Sequence, residues 1–153
     1  MSFEAFGLPA DSAAGGQRVG RCHPARHGAA RGAIVYVHPF AEEMNKSRRM
    51  AALQSRALAE AGYAVLQIDL LGCGDSSGDF GDATWQAWVD DVVHACHWVQ
   101  ARAANAPLWL WGLRVGCLVA ADAARQLDEP SQLLLWQPAT SGRLMLNQFL
   151  RLK

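Results

Sequence analysis

The hydrophobic positions change period several times along the chain, and each change marks an element. Ala33-Ile34-Val35-Tyr36-Val37 is an unbroken β-branched and aromatic run, the pattern of a strand buried on both faces. Tyr63 to Ile68, Leu108 to Trp111 and Gln132 to Trp136 repeat that pattern. Between these runs the spacing becomes helical. Ser47 to Ala61 puts Met50, Leu53, Ala57 and Leu58 on one side, with Ser47 as the expected cap and Gly62 as the stop. Thr84 is expected to cap a helix that reaches Ala104, with Trp85, Trp88, Val92, Ala95 and Val99 along one face. Val115 to Leu127 and Ser141 to Lys153 read as two more helices. Ahead of all of these, Phe3 to Leu8 and Gln17 to Cys22 read as weak strands of an antiparallel hairpin turning around Ala13-Ala14-Gly15-Gly16.

Strands that alternate with helices of crossover length predict an α/β fold: a mostly parallel sheet with helices on both faces. The chain has 153 residues and is expected to form a single domain over residues 1–153. Its 51% hydrophobic content supplies a core, and 18% charged residues is too little for disorder. The formal net charge is zero, with no basic run to recruit nucleic acid or an anionic membrane. No stretch is apolar for the roughly twenty residues a membrane span needs. Met1 to Phe6 lacks the basic and then apolar order of a signal peptide. Cys22, Cys73, Cys96 and Cys117 follow no C-x-x-C or zinc-ribbon spacing, which points to reduced thiols and a cytoplasmic protein.

The chemistry concentrates where strands end. Leu108 to Trp111 runs into Gly112, and Gly116 opens an Ala-rich helix, so Arg114 lies in a strand-to-helix turn between two glycines. A cation at a helix N-terminus is unfavourable unless an anion lies beside it. Arg114 therefore grips either an external carboxylate or phosphate, or an internal partner, for which Glu42 and Glu43 are the candidates. An internal pair predicts a plugged pocket and external binding an open one. Glu42 and Glu43 could also act as general acid or base, or hold Lys46 or Arg48. His38 ends its strand, the edge where α/β proteins put sites. Pro39 has no N–H, so an oxyanion bound at this edge would draw on the Phe40 and Val115 amides. Other groups are read as structural. His94, Cys96 and His97 have no third and fourth ligand clustered nearby, although Cys22, His23 and His27 form another loose group, and no metal or cofactor is expected. Gly72, Gly74 and Gly78 lack the context of a phosphate loop. Ser76 and Ser77 have no adjacent base, and Cys117 faces the core.

Three stretches, each ending a strand, resemble the α/β-hydrolase superfamily in the superfamily's order. They are His38-Pro39-Phe40, Asp69-Leu70-Leu71-Gly72-Cys73-Gly74-Asp75-Ser76, and the turn from Gly112 to Gly116. The last matches G-x-S-x-G at both glycines and carries Arg114 where the nucleophile stands. Within that superfamily, the runs from His38 to Arg49 and from Asp69 to Phe80, with the Gly-Leu-Arg turn, are similar to exosortase-A-system-associated hydrolases of the second type. These accompany the exosortase and PEP-CTERM sorting machinery and exopolysaccharide genes. The resemblance implies a cytoplasmic hydrolase-fold protein acting on an ester, thioester or amide. Its partner would be a small molecule or protein of that system. The missing nucleophile implies the alternative, a non-catalytic scaffold or anion-binding module. The superfamily's acid and base follow later strands, and no residue here matches them, so the chain is expected to be an N-terminal portion of the fold.

Overall fold

The computed structural model describes residues 4–10 and 15–151. Six strands form one sheet: β1 (Glu4–Pro9), β2 (Gln17–His23), β3 (Gly32–Val37), β4 (Tyr63–Ile68), β5 (Leu108–Leu113) and β6 (Ser131–Trp136). Their order across the sheet is β1-β2-β4-β3-β5-β6. Neighbours among β3 to β6 are parallel, whereas β1 and β2 add an antiparallel flank beside β4. The α-helices are α1 (Ala41–Glu60), α2 (Trp85–Arg102), α3 (Gly116–Ala124) and α4 (Gly142–Leu150).

The two-residue period of β3 divides the core. Ala33, Val35 and Val37 join Leu66 and Leu110 against α2 and α3, where Val92, Ala95, Val119 and Ala120 meet them. Ile34 and Tyr36 join Val65 and Trp111 on the opposite face, against Ala51 of α1. Every β3 residue is buried because both faces are covered, which is why its run is continuous rather than alternating. Thr84 caps α2 as expected, its Oγ1 accepting from the Ala87 N–H at 3.1 Å. Ser141 caps α4 in the same manner through Leu144. On the α2 face expected to be buried, Trp88, Val92, Ala95 and Val99 are buried, while Trp85 is exposed and donates from Nε1 to Asp122.

Several boundaries differ from expectation. Helix α1 begins at Ala41 rather than at Ser47. Ser47 caps nothing: its hydroxyl, inside the helix, donates to the Glu43 and Met44 carbonyls. The buried stripe of α1 is Met44, Ala51, Ser55 and Ala59, and Leu53 is 53% exposed. Met50 and Leu58 are partly buried against that core, as expected, whereas Leu53 and Ala57 turn to solvent. Gly62 ends α1 with φ 94°, as expected. Strand β5 runs on to Leu113, and α3 stops at Ala124 instead of Leu127. The expected turn at Ala13-Ala14, the first strand residue Phe3 and the last helix residues 152–153 lie outside the described residues.

A buried ion pair joins the flank to the parallel core. Arg18 Nε on β2 donates to Asp91 Oδ2 on α2 at 2.8 Å, with side chains 1% and 3% exposed. The same Asp91 oxygen accepts the Leu71 N–H at 2.8 Å, which ties down the loop after β4.

Candidate functional site

The site forms at the C-terminal ends of β3, β5 and β6. Gly112 and Gly116 bracket the turn for steric reasons. A Cβ on Gly112 would lie 2.6 Å from the Cys117 Cα, and one on Gly116 would lie 2.2 Å from the Val37 carbonyl oxygen. Both neighbours are backbone and cannot step aside. Between the glycines, Arg114 adopts φ 55°, a conformation that costs an L residue about 1–2 kcal/mol. Three backbone hydrogen bonds hold it there. The Arg114 N–H donates to the Trp136 carbonyl, and the Arg114 carbonyl accepts from Cys117 and Ala139, each at 3.1 Å. Ala41 and Gln137, at the ends of the neighbouring strands, also have positive φ, at 54° and 45°. Strain of this kind gathers at functional edges.

The Arg114 side chain is committed within the protein. Nε donates to Glu43 Oε1 at 3.2 Å, Nη1 to the Gln137 carbonyl at 3.3 Å and Nη2 to Gln148 Oε1 at 3.2 Å. Nη2 also approaches Met145 Sδ at 3.7 Å. This is the internal pairing expected from sequence, made by Glu43. Glu42 does not take part: it faces Lys46 at 3.5 Å, with both side chains exposed. Arg48 pairs with Asp69 instead of either glutamate. The second Glu43 oxygen, Oε2, is buried and has no hydrogen-bond partner among the described residues. Beside the pair opens a cleft of about 710 Å³, walled by Phe40, Met145 and Phe149 and edged by Glu42, Glu43 and Lys46. Phe40 stacks into an aromatic cluster there, 5.5 Å from Phe149 and 6.0 Å from Trp88 between ring centres.

Phe40 and Val115 come together with Ala139 and Met145 in one apolar cluster. Neither of their backbone N–H groups donates to any described residue. His38 is buried, and both ring nitrogens are engaged. Nε2 accepts from the Leu70 N–H at 3.1 Å, and Nδ1 meets the Pro39 carbonyl. These partners fix the neutral tautomer with its proton on Nδ1. Burial holds the His38 imidazole below its usual pKa, and the Nε2 lone pair is occupied by the Leu70 N–H.

The remaining candidates behave as structural groups. Ser76 Oγ accepts from the Val19 N–H and donates to the Asp69 carbonyl, and Ser77 Oγ accepts from the Gln17 N–H. The Cys117 thiol is buried, which raises its pKa, and it points to the Trp136 carbonyl. Among the described residues no group of three His, Cys, Asp or Glu could hold a metal ion. Gln137, Met145 and Gln148 were not anticipated as partners of Arg114. They lie 23 to 34 residues downstream, and no local pattern marks them.

Residues 28–153 match the family described as serine aminopeptidase, S33. Human protein ABHD12B is 35% identical over 96 residues, covering 63% of this chain and 25% of that protein. The lysophosphatidylserine lipase ABHD12 of Xenopus tropicalis is 31% identical over 114 residues, covering 72% of this chain and 28% of that protein. The chain thus spans under a third of the length of these relatives. Among solved structures, Est1E of Butyrivibrio proteoclasticus superposes with a TM-score of 0.74 at 21% identity, over 97% of this chain and 57% of that one. An α/β serine hydrolase without a lid from Xanthomonas campestris gives 0.68 at 22% identity, over 88% of this chain and 71% of that one. At these identities the structures bear on the fold alone.

Proposed function

The chain belongs to the serine aminopeptidase S33 family of α/β-hydrolase-fold proteins, and from that premise we propose that it is a non-nucleophilic member, a binding or scaffold module whose elbow is locked by an ion pair. One observation carries this reading: Arg114, at the nucleophile's turn, is held by Glu43 at 3.2 Å. A guanidinium has no free lone pair and stays protonated, so it cannot attack a carbonyl. Its Nε, Nη1 and Nη2 each already donate, to Glu43, Gln137 and Gln148, which favours a lock over a grip on an external anion. The cleft beside the lock, with its aromatic wall, supports docking of a small molecule or a segment of a partner protein. The motif resemblance supports a partner from the exosortase and exopolysaccharide system. Among the described residues no helix is long and apolar enough to cross a membrane.

A second reading is favoured by the two unengaged amides of Phe40 and Val115, the raw material of an oxyanion hole. In that reading the whole protein hydrolyses an ester, thioester or amide without an elbow serine. Turnover of p-nitrophenyl esters and acyl thioesters separates the two. The lock predicts no turnover by the protein or by its Arg114→Ser variant. Turnover that survives Arg114→Ala supports the second reading, and an esterase rate created by Arg114→Ser alone contradicts the first.

A further inference from the structure

A second cavity, of about 210 Å³, lies between α1 and the β2–β4–β3 part of the sheet, and three arginines line it. Two come from one ridge of α1. Arg48, Ala52 and Arg56 follow each other at four-residue steps and so share a helix face. The small Ala52 leaves space between the two long side chains. The third, Arg21, stands on β2 in register with Gln67 of β4. On the sheet side, His23 Nε2 meets Gln67 Oε1 at 3.1 Å.

The charges do not balance. Asp69 takes Arg48 at 3.3 Å and is mostly buried. Arg21 reaches Asp75 at 3.3 Å, but the Asp75 side chain is 69% exposed, so that pair is screened by water. Arg56 forms no ion pair among the described residues. A partly enclosed cavity with surplus guanidinium charge focuses its field on an anion. Burial keeps the His23 imidazole below its usual pKa, and the Arg56 and Arg21 charges push it the same way. The neighbourhood is therefore positive where His23 sits.

We propose that this cavity binds a phosphate monoester through Arg21, Arg48 and Arg56. Guanidinium forks match phosphate oxygens in pairs, and dianions gain most from several of them. The volume is below the roughly 300–1,000 Å³ of pockets for drug-sized ligands, which fits a phosphate with a small attached group. The site owes nothing to the elbow and stands whether or not Arg114 is a lock.

Titrating the whole chain at low ionic strength with inorganic phosphate, glycerol 3-phosphate and phosphatidic acid vesicles tests the site, with the His23 ring followed by NMR. Saturable binding with an upward shift of the His23 pKa is expected, because a bound dianion offsets the two arginines. Arg56→Gln, at an exposed position, should weaken binding about tenfold or more, Arg56→Lys should recover part of it, and Arg125→Gln, just past the end of α3, should leave it intact. Preference among the three ligands tells free phosphate, small ester and lipid headgroup apart. Absence of saturable binding by all three, or equal affinity in Arg56→Gln and Arg125→Gln, overturns the proposal.

Discussion

The Arg114 guanidinium and the Glu43 carboxylate meet at 3.2 Å between the ends of β5 and β3, and the other Glu43 oxygen is buried without a partner. The side chains are 29% and 38% exposed, so the pair adds little stability. Glu43→Gln is expected to cost under about 1 kcal/mol in urea unfolding. It should also release the guanidinium for outside anions. Acetate should then raise the melting temperature of Glu43→Gln by more than it raises that of the unaltered chain. An equal response in both would mean that Glu43 does not occlude Arg114.

The elbow glycines make a sharper prediction. A Gly116→Ala methyl would collide with the Val37 carbonyl at 2.2 Å, and the turn cannot relax without disturbing β3. A loss of about 3 kcal/mol is expected, at the upper end of ordinary overpacking. Gly142→Ala meets nothing within 4 Å and serves as the control. Similar urea midpoints for the two variants would refute the steric account.

Asp91→Ala should be severe for a different reason. It takes the Asp91 carboxylate away from the buried Arg18 guanidinium and removes the acceptor of the Leu71 amide. Breaking one side of a buried pair costs about 3–5 kcal/mol. Asp91→Asn keeps an acceptor oxygen and should fall between the alanine variant and the parent. If calorimetry found Asp91→Ala within 1 kcal/mol of the parent, roughly the range of exposed pairs, the burial argument would fail.

Stability should also depend on pH through two histidines. Burial holds both His23 and His38 below the ordinary imidazole pKa of 6.5. The unfolded chain then binds more protons than the folded one just below that value, so stability falls with acidification. The contribution is fully present above pH 6.5 and is lost as pH drops through the folded-state values. Urea midpoints are expected to be lower at pH 5.5 than at pH 7.5, and His23→Gln should flatten the difference. A flat profile would contradict the buried, neutral assignment.

Much of the fold was legible because its signals are local. The run Ala33 to Val37 announces a doubly covered strand, and the glycines at 112 and 116 mark a turn that no other residue fits. The start of α1 was not legible. Phe40, its first flanking residue, offers no side-chain cap, and Ala41 enters with positive φ, so tertiary contacts set the boundary. Glu43 was foreseeable as a partner of Arg114 because both follow adjacent parallel strands. Gln148 and the Gln137 carbonyl were not, since β6 and α4 reach the site only after the sheet is assembled. The arginine cavity was half visible: Arg48 and Arg56 share a helical period, but Arg21 joins them only through the antiparallel register of β2 on β4.

The most direct test of the locked elbow is exposure of the native protein to a fluorophosphonate probe, followed by mass spectrometry of the whole chain and its peptides. The account predicts no adduct: Arg114 cannot be phosphonylated, Ser76 and Ser77 are held in backbone hydrogen bonds, and burial keeps the Cys117 thiol protonated. A stable adduct at a specific serine or cysteine would contradict it and return the site to catalysis.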